Sequence, residues 1–312
     1  MNQAIFFELA KQLPNYSPEA QIEIKPVSGG LCNSNWIMSI EQQSFFVKIF
    51  GEGTESFIDR QLSYEALNKA HQMGISPGMM LLDEQKRLEV HEYLEGYHAT
   101  VSSDFQREEF QNSVIQIYKK MHSSPLLGKT KTVFEMTDEH IEQGEALGAI
   151  RPSDFPFLMH CYQQAKAAFM ASGLDIVPCH NDPMPGNFMV KTDEHNHLLD
   201  MKVIDFEFAS NNERAYELGV FLGEMFIDDE RSYELIEEYF GTLREDLVAR
   251  VFIGRAIADM KWGSWAVQQR QLSDWDFDYQ KYGIWKYGRA RKLFLCTRQI
   301  SQNPYPIRVL PS

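Results

Sequence analysis

The sequence predicts an α+β fold of two lobes, a small β-rich lobe over residues 1–95 and a larger helical lobe over residues 96–312. Three observations predict it. Short β-like runs crowd the first 95 residues, and helical periodicity takes over from about residue 104. Between the late helices lies a polar loop, HNDPMPGN at 180–187, followed by an apolar strand that ends in IDFEFAS at 204–210.

Each element has its own signal. Residues 21–27, 36–40 and 45–50 read as strands, separated by GGLCNSN and by Glu41, Gln42 and Gln43. A helix over 54–73 stops at Gly74, with Pro77 three residues on. Strands at 79–82 and 87–94 flank a polar turn, and residues 92–96 connect the lobes. Helices follow at 104–124, 153–172, 213–227, 231–240, 243–272 and 277–298. The later strands flank the polar loop, at 187–190 and 198–205, joined by KTDEHNH.

Composition narrows the function classes. Forty-four acidic against 30 basic residues give a formal charge of −14, which argues against nucleic acid as a partner. No apolar run approaches the ~18 residues of a membrane span. The opening MNQAIFFELAKQL lacks a basic segment and carries Glu8, so it reads as a helix rather than a secretory leader. Cys32, Cys161, Cys179 and Cys296 lack metal-like spacing and fit the reduced thiols of a cytoplasmic protein. Nothing in the pattern fixes an oligomeric state, and a dimer is compatible with it.

The polar loop carries the chemistry. Phosphoryl transfer from a nucleotide needs a carboxylate beside the acceptor hydroxyl, plus an amide and a second carboxylate to hold Mg²⁺ on the phosphates. Asp182, Asn187 and Asp205 supply these types in that order, with steps of five and eighteen residues. A lone DxxxxN means little, because Asp and Asn populate loops for turn chemistry alone. The loop's Pro183, Pro185 and Gly186 and the apolar strand before Asp205 make the pattern specific. His180 reads as a prop for the loop. Upstream, Lys48 in FFVKIF is a cation in an apolar strand, which calls for an anionic partner such as phosphate. SGGLCN at 28–33 brings backbone amides within reach of phosphates, although a glycine turn would look the same. Four of the five tryptophans lie within residues 261–294. There Trp262 and Trp265, then Tyr279 and Tyr282, repeat helical spacing. Such a stripe is either core packing or an aromatic box for an organic cation.

GGLCN, FVKIFGEGTESFIDR, VHEYLEG, HNDPMPGN, IDFEFAS and WGSWAVQ with SDWDFDYQKY together resemble the choline/ethanolamine kinases. That family lies within the protein-kinase-like phosphotransferases that include the aminoglycoside enzymes. The resemblance covers roughly residues 22–298 and implies a two-lobed, protein-kinase-like fold. It also implies ATP-dependent phosphorylation of an amino-alcohol hydroxyl with Mg²⁺. By position it makes Asp182 the base, Asn187 and Asp205 the Mg²⁺ ligands, and Lys48 a contact of the ATP phosphates. Gly29, Gly30 and Asn33 fall in the phosphate loop, and the backbone at Tyr93 and Leu94 would receive adenine. Glu224, Trp262, Trp265 and Tyr282 would surround the cationic head group, with Glu207 a further acidic candidate.

The chain departs from the family pattern at several positions. Ser63 stands where a Glu commonly holds the nucleotide-site lysine, and Glu65 is the expected substitute. Glu217 replaces an Asp that braces the loop. Met184 and Phe208 replace more polar residues, and the apolar change favours choline over ethanolamine. An aminoglycoside, thiamine or sugar kinase of the same fold is the alternative, as is a catalytically silent nucleotide-binding protein. Lipid-precursor synthesis and decoration of a cell-surface glycan both fit a phosphorylated amino alcohol.

Overall fold

The computed structural model describes residues 4–27, 33–51, 58–273 and 275–302. It divides into two compact units. One comprises Met1–Ser113 with Met184–Ala209, the other Val114–Pro183 with Ser210–Ser312.

The first unit is built on a five-stranded antiparallel sheet of β1 (Ile22–Val27), β2 (Asn33–Ile40), β3 (Gln43–Phe50), β4 (Met79–Asp83) and β5 (Leu88–Glu92). Its strand order is β1-β2-β3-β5-β4. Alternation puts Met38, Ile40, Phe45, Val47, Leu88 and Val90 on one face, where Phe6, Leu9 and Ala10 of the short helix α1 (Ala4–Ala10) close the core. Helix α2 (Arg60–Gln72) begins where Asp59 Oδ1 accepts from the Leu62 amide at 3.2 Å. It stops before Gly74, whose φ of +75° suits a residue without Cβ.

A three-stranded sheet, β6 (His98–Ala99), β8 (Phe188–Thr192) and β9 (Leu198–Val203), belongs to the same unit in the order β6-β8-β9. The Val203 amide donates to Ile75 O at 2.7 Å, and Lys202 Nζ donates to Gly74 O at 2.6 Å. These bonds fix β9 against the end of α2. The expected helix over 104–124 starts later, as α3 (Glu108–His122), after a 3₁₀ turn at Ser102–Gln106.

The second unit is helical: α4 (Val133–Ala146), α5 (Phe155–Ser172), α6 (Arg214–Glu224), α7 (Asp229–Phe240), α8 (Glu245–Leu272) and α9 (Tyr279–Gln302). Every residue over 256–269 of α8 is buried, so this helix has no solvent face there and serves as the axis for its neighbours. Two further strands pair antiparallel, β7 (Ile176–Cys179) and β10 (Ser210–Glu213), with Ser210 opposite Cys179. The late strands are therefore not confined to the loop's downstream side, as the sequence had suggested. No helix among the described residues is long and apolar enough to cross a membrane.

Candidate active site

In the first unit, strand register puts Glu89 of β5 directly opposite Lys48 of β3. Lys48 Nζ lies 2.8 Å from Asp205 Oδ1, 3.0 Å from Glu207 Oε1 and 3.7 Å from Glu89 Oε1. Burial works against its charge, but Asp205, Glu207 and Glu89 outweigh it and raise the pKa. Glu89 is held low despite its burial, chiefly by Lys48. The lysine's carboxylates are therefore these three and not Glu65. Glu65 lies one turn before Lys69 on α2 and meets that residue at 2.8 Å.

Asp205 follows the end of β9 with a φ of +67°, a conformation that costs a non-glycine residue on the order of 1–2 kcal/mol. The next link is backbone: the Ile204 amide donates to Asn187 O at 2.9 Å, which ties the residue before Asp205 to Asn187. Asn187 closes a 3₁₀ turn at Pro185–Asn187, pinned by Thr100 Oγ1 donating to Pro185 O at 2.6 Å. Asp205 meets Lys48 through Oδ1, and its side chain is 32% exposed. An amide oxygen and a part-exposed carboxylate are hard donors suited to Mg²⁺.

Glu207, expected near the acceptor, meets three groups of its own unit. Its Oε1 accepts from Asn33 Nδ2 at 2.9 Å and Arg60 Nη1 at 2.6 Å, besides Lys48. Asn33, expected at the phosphates, spends its side chain on Glu207 and on the Gly51 amide. Glu207 thus meets Lys48 directly, and Asn33 holds Glu207. Gly29 and Gly30 lie outside the described residues. Tyr93 is exposed, and Leu94 O accepts from the Tyr97 amide at 3.3 Å.

In the second unit, Asp182 sits between a braced residue and a proline. Asn181 has a φ of +68° and is fully buried. Its amide donates to both oxygens of Glu217, at 3.2 and 3.0 Å. Its side chain bonds Ser210 Oγ at 2.9 Å and Asn212 Nδ2 at 2.8 Å. The longer Glu217 thus braces the loop as an Asp would, and burial raises its pKa. His180 also supports the loop, accepting from the Asp182 amide through Nδ1 at 3.3 Å.

The aromatic stripe of α8 and α9 is packed ring against ring. Trp262 and Trp265 meet at 5.6 Å, Trp265 and Tyr279 at 5.8 Å, Trp265 and Tyr282 at 6.5 Å. It also holds cations of its own. Lys261 Nζ lies over the Trp262 ring, 3.5 Å from its centroid, and Lys286 Nζ is 5.1 Å from that of Tyr282. Glu224, expected to meet the acceptor head group, pairs with Lys286 and lies 3.4 Å from Arg289. Asp259 lies 3.0 Å from Arg289 Nε. Burial, then Glu224, Asp182 and Asp259, push the Tyr282 hydroxyl well up, so one ring senses both the loop and the acidic pair.

A family model described as choline/ethanolamine kinase matches residues 24–239. The chain belongs to that family. Its fold is protein-kinase-like. It is 27% identical over 135 residues to a probable ethanolamine kinase of Arabidopsis thaliana, covering 38% of this chain and 35% of that one. It is 22% identical to ethanolamine kinase 2 of Rattus norvegicus, covering 90% and 78%. The matches span 35%, 41% and 56% of the first three curated relatives. The crystal structure of choline kinase LicA from Streptococcus pneumoniae superposes with a TM-score of 0.77 at 22% identity, over 94% and 98% of the two chains. A structure of LicA in complex with AMP gives 0.75 at 21%, over 95% and 99%.

Sequence reasoning missed Glu89, Arg60, Asp259, Lys261, Lys286 and Arg289. A signal existed for three. Glu89 stands in an apolar strand as Lys48 does, and Lys261 and Lys286 interrupt the aromatic stripe. The criterion that singled out Lys48, a charge where burial is expected, applies equally to them.

Proposed function

We propose that this family member transfers the γ-phosphoryl group of ATP to the hydroxyl of a small amino alcohol such as choline or ethanolamine, in the cytoplasm. Residues 1–95 carry the nucleotide-binding role and 96–312 the catalytic and acceptor role, although 96–113 and 184–209 belong to the first compact unit. The observation that carries the reading is Lys48 held by Asp205, Glu207 and Glu89, a fixed cation for the nucleotide phosphates. Asp182 takes the acceptor's hydroxyl proton and orients its oxygen for in-line attack. Glu217 holds the Asn181 amide and His180 the Asp182 amide, so the turn that carries the base is braced on both residues. Asn187 and Asp205 would hold Mg²⁺, which would supply positive charge against the nucleotide phosphates. Tyr93 and Leu94 line the adenine end. The AMP complex of LicA supports a nucleotide site on this fold.

The test is ADP release with Mg·ATP and amino alcohols, beside thiamine and kanamycin, on the wild type and Asp182→Asn. Turnover requiring both Mg²⁺ and an amino alcohol is expected. Asp182→Asn should cut kcat on the order of 10³-fold while leaving Mg·ATP affinity nearly unchanged. Loss of nucleotide binding in that variant would reassign Asp182 to structure, and turnover of kanamycin alone would reassign the acceptor.

A further inference from the structure

The acidic pair beneath the aromatic stripe is unequally satisfied. Glu224 Oε1 is taken by Lys286 and approached by Arg289. Asp259 is fully buried, and its Oδ2 accepts from Arg289 Nε at 3.0 Å. Its Oδ1 is buried with no hydrogen-bond donor; the nearest cation, Lys286 Nζ, stands 3.8 Å away, beyond hydrogen-bond length. A buried carboxylate oxygen without a donor is costly and calls for an N–H or O–H.

Three of the nearby rings already carry cations. Lys261 lies on Trp262, Lys286 near Tyr282 and Trp285, and Arg289 over Trp285 at 4.9 Å. A trimethylammonium binds by ring faces alone, because it has no N–H to donate. It would meet like charge at Trp262, Tyr282 and Trp285 and leave Asp259 Oδ1 as it was. An ammonium that keeps its hydrogens can bond that oxygen directly. Lys286 Nζ, 3.8 Å from Asp259 Oδ1 and 5.1 Å from the Tyr282 ring centroid, puts this oxygen next to the aromatic stripe.

We propose that Asp259 receives the acceptor's ammonium through an N–H, so that the site takes amino alcohols whose nitrogen carries hydrogen, a primary amine first, in preference to a quaternary one. This rests on the amino-alcohol reading above, and it reverses the preference for choline that Met184 and Phe208 suggested. Lys261, Lys286 and Arg289 act as built-in occupants of the rings and select against the trimethylated head group.

The experiment is a methylation series: ethanolamine, N-methylethanolamine, N,N-dimethylethanolamine and choline, each followed by ADP release at saturating Mg·ATP. In the wild type kcat/KM should fall along the series, on the order of tenfold or more from first to last, with the largest step at loss of the last N–H. Asp259→Asn should raise the KM for ethanolamine and bring the ethanolamine-to-choline ratio close to one, with the KM for ATP unmoved. Choline as good as ethanolamine in the wild type overturns the inference, as does a variant that lowers all four acceptors equally. The wild-type series decides even if Asp259→Asn fails to fold. Silence of all four acceptors overturns the amino-alcohol reading itself, whereas a reversed order leaves that reading intact and overturns only this one.

Discussion

A buried ammonium on an apolar strand is tolerable only when anions surround it, and Lys48 is surrounded by three. Asp205 and Glu207 come from the segment after β9, but Glu89 comes from the neighbouring strand and is itself 7% exposed. Lys48→Met therefore strands Glu89 in a low-dielectric site. Stability to urea should fall by about 3–5 kcal/mol, with weaker ATP binding. The double variant Lys48→Met/Glu89→Gln should recover at least about 1 kcal/mol of that loss, because the orphaned charge goes with its partner. Additive losses would mean that the two residues do not act as a pair. Lys48 itself was legible in the sequence, since a cation between Val47 and Ile49 has few innocent explanations. Its partners were not. Choosing among Glu65, Glu89 and Glu207 needs strand register and the path after β9, and neither is encoded locally. Glu65 looked suitable by distance along the chain, yet a helical i, i+4 step commits it to Lys69.

Helix α6 shows how an element transmits such placement. It carries Glu217 in its first turn and Glu224 in its last, and it packs on α8 where Gly219 has no side chain. A Cβ there would lie 2.5 Å from Val251 O and 2.7 Å from the Arg255 amide nitrogen, both backbone atoms that cannot rotate away. Gly219→Ala should therefore push α6 off α8, at a cost of about 1–3 kcal/mol in thermal or urea unfolding. Because Glu217 moves with the helix, kcat should drop too, while a purely local defect would lower stability alone. The helices expected at 153–172, 213–227, 231–240, 243–272 and 277–298 were readable from helical periodicity, with ends within a few residues. Helix α4 was not, because Thr137, His140 and Gly144 interrupt a buried stripe whose other members are Val133, Phe134, Met136 and Ile141. Its capping box did announce it: Thr132 Oγ1 accepts from the Glu135 amide, and Glu135 bonds back to the Thr132 amide. Strands β7 and β10 are four residues each, too short for alternation to register, and β7 contains Pro178.

At the scale of the whole molecule, the buried polar side chains of the helical unit set its response to acid. His140 on α4 is 5% exposed and bonds Gln268 of α8 through Nδ1 at 2.7 Å. Burial, then the nearby charge of Lys261, lowers its pKa to about 3. His122 is lowered to about 3 as well, by burial and then Arg214. In an unfolded chain both would titrate near 6.5. Below that pH the unfolded state binds protons that the folded state refuses, so stability is complete above about 6.5 and is lost as pH falls toward 3. Asp259 works in the opposite sense. Burial first, against Lys286 and Arg289, raises it to about 6, so its folded form holds a proton that the unfolded chain releases between about 4 and 6. Because the groups partly cancel, the total acid slope does not identify any one of them, and the clean observable is a difference between variants. His140→Gln keeps a polar partner for Gln268 and removes one titrating group. Between pH 6 and 4 its stability should fall less steeply than the wild type's, by about 1.4 kcal/mol per pH unit. Urea unfolding at three pH values measures this. Parallel slopes would mean that His140 takes up its proton in the folded protein as readily as in the unfolded chain, and that α4 and α8 open to solvent before the molecule unfolds.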